Sequence, residues 1–364
     1  MRRLLPFILA LTVIATGCSP KPAESLAVPP PEPEPTPQKK TGTSWYWFSD
    51  TGIHWAASPS EIPGKAFTPW TEAVRVADAA IVEGIPSLLI NRLGVLSPGT
   101  SGTGLHTDPD RFASHTAAGF YRTEAGTAVR LYRNSIFAGD TKSGIALTGY
   151  DPVSGSFTDL YFAADLGVPA QAQCVSLDRV GSMWYAAFKN DKAGKVEFSY
   201  LEFPAFPARN RETGAYDLSD FRNLDTTGYQ ESVAPFAWSS APDQLRSLLS
   251  AIPDETPISV RVHTRSARSP QTYVREGPGE PLACRAWVSD EATSALFADG
   301  TFYFRADNST ETVKSIRLPA LTRGYVYGEY VIVGKKLVTA WEEQRFYETG
   351  RAGLLEIPLP DALY

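Results

Sequence analysis

The sequence predicts an all-β fold, arranged as a β-propeller of six or seven four-stranded blades with one short helical insertion. Three observations predict it. Short runs rich in Val, Ile, Tyr, Phe and Trp recur between Gly, Pro, Asn and Asp turns, the pattern of many antiparallel strands, and few stretches show helical periodicity. The runs fall in clusters, from Val74 to Leu96, Val129 to Phe162, Ala172 to Phe203, Ile258 to Val274, Ala283 to Leu318 and Tyr325 to Ile357. Two clusters overlay. Gln173–Asp178, Met183–Phe188 and Val196–Leu201 stand against Ala283–Val288, Ala295–Phe297, Phe302–Phe304 and Val313–Leu318, each series ending near a proline. A degenerate repeat of about 40 to 50 residues with four strands is how blades read in sequence, and roughly 320 residues at that period give six or seven. A closed ring leaves no open sheet edge, so the strand after Gly353 should share a blade with the N-terminal run at Trp45 to Trp47. A pair of β-sandwiches or a β-solenoid is the alternative architecture.

The chain opens Met1-Arg2-Arg3, a positive patch, followed by apolar residues from Leu4 to Thr16. These are the n- and h-regions of an export signal. The apolar stretch is well short of the roughly 20 residues a helix needs to span a bilayer. It ends Ile14-Ala15-Thr16-Gly17-Cys18, which resembles the bacterial lipobox. That resemblance implies cleavage after residue 17 and lipid on Cys18, giving an anchor of palmitate-type acyl chains. Each buried CH₂ contributes about 0.8 kcal/mol, so several chains hold permanently. Residues 18–43 are poor in apolar side chains and dense in proline, centred on Pro29 to Pro37. Such a segment cannot fold on its own and extends at about 3.1 Å per residue as a spacer. Residues 44–364 then form the body. Ser19 follows the cysteine where, by the same resemblance, Asp would mark inner-membrane retention. The outer membrane is expected, with periplasmic or exterior orientation open.

Within the body, three hairpins are explicit. Trp45–Phe48 returns as Ile53–Trp55 across Asp50-Thr51-Gly52, and Ala295–Phe297 returns as Thr301–Phe304 across Asp299-Gly300. Ile145–Leu147 pairs with Phe157–Phe162 through Tyr150-Asp151-Pro152-Val153-Ser154-Gly155. That last turn resembles the outer hairpin of bacterial β-propellers. Phe48 to Trp55 also resembles the Asp-box of sialidase-type propellers, with Asp50, Gly52 and Trp55 matching, which implies a structural turn and no catalytic role. One helix is expected, capped by Ser240, with Pro242 in its first turn and Leu245, Leu248, Leu249 and Ile252 on one face before Pro253.

Chemistry-bearing residues are sparse. Cys174 and Cys284 fall at equivalent places of two non-adjacent repeats, too far apart for the roughly 7 Å limit of a disulfide, and are expected as buried free thiols. His106, Asp108, Asp110 and His115 gather two imidazoles and two carboxylates near a Gly-rich loop. They are the residues from which a metal site would be built. They lack a tight His-x₃-His spacing, and Asp108-Pro109-Asp110 also reads as turn chemistry. No metal and no cofactor is therefore expected. Gly99 to Gly104 lacks the Lys-Ser/Thr of a phosphate loop, and neither a Gly-x-Ser-x-Gly elbow nor a His-Glu-x-x-His helix occurs. No catalytic residue is assigned.

The formal charge is −6 with acids and bases interspersed, and no basic run with interleaved aromatics argues for nucleic acid. The expected function is a membrane-anchored binding or scaffold domain for protein or glycan partners. The alternative is a glycan hydrolase or lyase on the same ring, which requires carboxylates from several blades to converge. A two-lobed α/β transport receptor conflicts with the scarcity of helix. The lipobox, proline tether and divergent propeller together resemble the propeller lipoproteins that scaffold outer-membrane protein assembly. They also resemble uncharacterised lipoproteins of spirochaetes, a resemblance that implies no activity.

Overall fold

Alternation of apolar and polar residues between tight turns produces strands almost throughout. The computed structural model describes residues 42–361, apart from 50–51, 63–73, 99, 101–103, 134–143, 164–171, 181, 193–194, 205–209, 211, 214–216, 225–233, 307–312 and 345–350. Cys18, the signal segment and the proline-rich spacer lie outside the described residues, as does most of the loop 99–104.

The described strands form five sheets. β1 (Ser44–Ser49) and β2 (Gly52–Ala56) form the expected first hairpin, with Phe48 opposite Ile53. β3 (Val76–Val82), β4 (Ile85–Ile90), β5 (Gly94–Leu96) and β6 (Leu105–His106) make a four-stranded antiparallel sheet in chain order. The next is built from β7 (His115–Thr123), β8 (Gly126–Arg133), β9 (Gly144–Asp151) and β10 (Ser156–Ala163). Then come β11 (Gln173–Val180), β12 (Met183–Lys192), β13 (Lys195–Phe203) and β14 (Arg222–Leu224), also in order. The hairpin from β9 to β10 turns where expected: Asp151 Oδ1 accepts from Val153 N at 2.9 Å, Asp151 Oδ2 from Ser154 Oγ at 2.6 Å.

The fourth sheet departs from a plain four-stranded unit. It joins β15 (Phe236–Ala237), β16 (Ile258–Thr264), β17 (Gln271–Arg275), β18 (Leu282–Val288), β19 (Ala292–Phe297), β20 (Thr301–Ala306) and β21 (Lys314–Arg317) in the order β15-β17-β16-β18-β19-β20-β21. Its two halves are sewn together by β16 and β18, which run parallel with Val260 beside Cys284 and His263 beside Trp287. The half from β18 to β21 is one of the two overlaid repeats and has the four consecutive antiparallel strands expected of it. The fifth sheet, β2-β1-β24-β23-β22, uses β22 (Tyr325–Val333), β23 (Lys336–Glu343) and β24 (Ala352–Pro358) and admits the N-terminal hairpin beside the last strand. Trp45 pairs with Leu355 and Tyr46 with Leu354, so the first and last strands share a sheet as expected. Gly353 permits this join, since a Cβ there would meet the Tyr46 carbonyl and the Trp341 ring.

Apolar clusters fill the spaces between consecutive sheets. Val76, Ala79, Leu88 and Ile90 of β3 and β4 pack on Val331, Val338 and Leu354 of the fifth sheet. Val82 and Leu89 meet Phe120, Val129 and Leu131. Tyr121, Tyr132 and Ile145 meet Leu177, Trp184, Phe188 and Phe203. Trp184 is 1% exposed. An aromatic side chain of that kind buries about 150–250 Å², which at about 25 cal/mol per Å² contributes roughly 4–6 kcal/mol.

Two helices are described. α1 (Pro109–Ser114) was not expected. Asp108 is its N-cap, its side chain accepting from Arg111 N, and Pro109 fills the first turn. The turn reading of Asp108-Pro109-Asp110 is corrected accordingly, because the same Asp-Pro pair starts a helix as readily as a turn. α2 (Asp243–Leu248) is shorter than its apolar face suggested, and Ser240 does not cap it. Pro242 holds the N-cap position, and Ser240 Oγ donates to Ala237 O at 2.7 Å inside a preceding 3₁₀ turn. Leu245, Leu248 and Leu249 are buried as expected, against Ile258, Val260 and Ala286.

Candidate functional site

Six charged side chains come together from all five sheets. Three of them have apolar neighbours along their strands: Asp78 lies among Val76, Ala77 and Ala79, Arg261 between Val260 and Val262, and Glu329 beside Tyr330. Asp78, Arg130 and Glu329 are buried, so each must find a partner inside the molecule. Asp78 is fully buried and accepts on both oxygens, from Arg261 Nη2 at 2.8 Å and from Phe120 N at 2.8 Å. Glu329, 3% exposed, accepts from Arg285 Nε at 2.7 Å and from His263 Nε2 at 2.9 Å, with Arg261 Nε 3.6 Å away. His263 therefore carries its proton on Nε2, and its ring stacks on Trp287 at 4.5 Å and 14°. Arg130 extends the group toward β11, donating to Leu177 O at 2.7 Å and standing 3.6 Å from Asp178. Gly119 makes room here, for a Cβ would lie 2.8 Å from Asp78 Oδ2 and against the Arg130 guanidinium.

The electrostatics follow from the register. Arg261 and Arg285 are neighbours across the parallel β16–β18 pair, a repulsive arrangement that Asp78 and Glu329 offset. Burial alone would push the Glu329 carboxyl up. Arg261, His263 and Arg285 outweigh it and hold the group well below the usual carboxylate range, so it is ionised. Burial lowers Arg130, partly offset by Asp178 and Asp78. Asp78 and Glu329 raise Arg261 against its own burial cost. Beyond Arg285, burial raises Glu342, with Arg75 and Arg285 acting against the rise.

One oxygen each of Asp78 and Glu329 and a ring nitrogen of His263 lie within 4.8 Å of one another, near enough to share a metal ion. The occupied lone pairs argue otherwise. Both Asp78 oxygens already accept hydrogen bonds, Glu329 accepts from a guanidinium and an imidazole N–H, and a cation would have to displace Arg261 and Arg285. What the arrangement does chemically is neutralise charge across sheet boundaries.

The residues singled out from sequence lie elsewhere. His106 Nδ1 is 2.6 Å from Tyr150 OH, which also meets Ser97 Oγ at 3.0 Å. Asp108 caps α1 and pairs with Arg111 at 2.5 Å, while His115 Nδ1 lies 2.7 Å from Arg111 O. Asp110 sits in the first turn of α1. Among the described residues, Asp78, His263 and Glu329 are grouped as metal ligands would be, and these four are not. Cys174 and Cys284 are both buried and free, in separate apolar clusters. Burial pushes the Cys284 thiol far up. The sequence signal that was missed is the lone ionisable residue inside an apolar strand, repeated in β3, β18 and β22, with the pair Arg261 and His263 in β16.

A hollow of about 450 Å³ opens beside Arg323, Tyr325, Glu343 and Gln344. Tyr325 OH donates to Glu343 Oε1 at 2.8 Å, and burial together with that carboxylate pushes the phenol up to about 12. Among the described residues no helix is long and apolar enough to cross a membrane.

Residues 34–361 match a family of unknown function, DUF8086, which takes in the whole described body. The chain belongs to this family. An uncharacterized lipoprotein of Treponema pallidum (strain Nichols) is 28% identical over 395 residues, covering 85% of this chain and 86% of that protein. Among solved structures, Saccharomyces cerevisiae Sqt1 aligns at 8% identity over 80% of this chain and 97% of its own, with a TM-score of 0.32. A Penicillium chrysogenum alpha-L-arabinanase complexed with arabinobiose aligns at 8% identity over 77% and 92%, with a TM-score of 0.31. At those TM-scores neither bears on the activity of this DUF8086 member.

Proposed function

We propose that this protein is a lipid-anchored envelope protein whose body is a six-bladed β-propeller acting as a binding platform for a protein or glycan partner. The observation that carries the non-catalytic reading is the saturated ionic centre. Asp78 and Glu329, the carboxylates that converge from different sheets, are buried and fully engaged by arginine, imidazole and backbone donors. A general acid or base needs a lone pair or proton within reach of substrate, and this pair offers neither. Six blades are supported by the chain order of the sheets, with β16 and β18 as the parallel inner strands of two neighbouring blades and β1 entering the last one. The anchor is supported by the residues up to Cys18 and by the lipoprotein relative. Ser19 after the cysteine, in place of an Asp, supports the outer membrane over the inner.

The test has two arms. Cys18→Ser should move the protein from the membrane fraction and remove acyl mass from the intact protein. An unlipidated wild-type chain that stays soluble would sink the anchor. The detergent-extracted wild-type chain, incubated with envelope glycans, should retain ligand without shortening it.

A second reading has one observation in its favour. Facing oxygens of Asp78 and Glu329 lie within 4.8 Å, close to the roughly 5–5.5 Å separation of carboxyl groups in retaining glycosidases. It predicts glycan turnover that Glu329→Gln abolishes. Turnover of that kind would replace the platform reading.

A further inference from the structure

The first residue of β22 and the last of β23 stand opposite one another, Tyr325 beside Glu343, and the chain enters β22 through a turn at Arg323 and Gly324. Tyr325 N donates to Thr322 O at 3.1 Å, and Gln344 N donates to Gly324 O at 2.7 Å, so backbone bonds tie the turn to both strands. Gly324 has φ +92°, a left-handed conformation that favours glycine, and a Cβ there would meet nothing within 4 Å. The space beside it is the hollow of about 450 Å³ lined by Arg323, Gly324, Tyr325, Glu343 and Gln344. That volume lies within the roughly 300–1,000 Å³ of small-molecule sites.

The lining is aromatic on one strand and polar on the rest. The Tyr325 ring stands edge-on to Trp341 at 5.7 Å and 61°, and its hydroxyl donates to Glu343 Oε1 at 2.8 Å. The phenol is thereby held at both ring and tip. Arg323 and Gln344 are exposed, and among the described residues neither side chain makes a hydrogen bond or an ion pair. Arg323 and Glu343, the charged side chains of the lining, are opposite in sign, so the hollow selects neither an anion nor a cation. A guanidinium only donates, a carboxylate only accepts, and a carboxamide does both. That mixture matches hydroxyl groups, each of which donates and accepts at once. An aromatic side chain adds an apolar surface for the C–H face of a sugar ring.

We propose that this hollow binds a neutral pyranose unit of an envelope glycan, with the Arg323 guanidinium and the Gln344 carboxamide bonding neighbouring ring hydroxyls and Tyr325 packing on the ring. The inference gives the platform reading above a ligand class and a place, and it rests on that reading. The site shares no residue with the ionic centre.

The detergent-extracted full chain should be titrated calorimetrically with cellobiose and, separately, with chitobiose, neutral disaccharides without and with acetamido groups. Saturable binding of at least one is expected, at least tenfold weaker in Arg323→Ala and in Gln344→Ala. Both residues are exposed, and Gln344 bonds Gly324 through its backbone, so the variants should melt with the wild type. A neutral ligand has no charge to screen, so its affinity should hold between low and high salt. Absence of saturable binding to both disaccharides overturns the site, as does equal affinity in wild type and the two variants, or an affinity that falls steeply with salt. Envelope glycans retained alike by the wild type and both variants overturn the hollow and leave the platform reading standing. Envelope glycans retained by none of the three, with no disaccharide bound, overturn the hollow and the glycan form of the platform together.

Discussion

Glu329 receives Arg285 and His263 directly and has Arg261 at ion-pair distance, so one carboxylate answers three donors from two strands. Removing its charge takes the carboxylate partner from Arg285 and leaves Arg261 with Asp78 alone. Breaking a buried pair by deleting one partner costs about 3–5 kcal/mol, and the partial exposure of Arg261 and Arg285, 28% and 29%, places Glu329→Gln near the lower figure. Denaturant unfolding at pH 7 measures it. The pH dependence has a definite sign. The folded group titrates below its unfolded value of about 4.3, so its contribution is complete above that pH and is lost as the pH falls toward the depressed folded value. Wild-type stability should therefore decline below about pH 4.3 more steeply than that of Glu329→Gln; parallel acid profiles would refute the assignment. The sequence displayed these charges but not their partners. Arg261 and Glu329 belong to different sheets, and nothing local to either strand announces the other.

At the scale of elements, whatever was written in a few consecutive residues was legible. Asp299-Gly300 and the Asp151 to Gly155 turn fix their hairpins through φ and side-chain bonds available on the spot. The parallel join of β16 to β18 was not legible, because an entire strand, β17, separates them and their register is set by packing. α1 escaped because six residues carry too little periodicity to be told from a turn. The sharing of a sheet by β1 and β24 was legible only through the expectation of a closed ring. Its weakest tolerance is Gly353, where an added methyl meets the Tyr46 carbonyl and the indole of Trp341, whose Nε1 donates to Tyr46 O at 3.2 Å. Gly353→Ala should cost about 1–3 kcal/mol, typical of overpacking. Hydrogen exchange should show the loss of protection centred on β1 and β24; uniform exchange across all sheets would argue against a local fault.

For the molecule as a whole, the two thiols distinguish a body held by packing from one held by cross-links. Cys174 and Cys284 are each 1% exposed and sit in the first strands of separate overlaid repeats. A thiol-specific alkylating reagent should label neither in the folded chain and both after denaturation, without prior reduction. A requirement for reductant would show that they pair. Within the described body, the first and last strands are joined by backbone pairing in the fifth sheet. β1 is among the earliest strands of the body to be made, yet one of its neighbours, β24, is the last. The fifth sheet cannot be completed until nearly the whole polypeptide has been synthesised. Contacts so distant along the chain slow folding, so the β1–β24 pairing should be among the last to form.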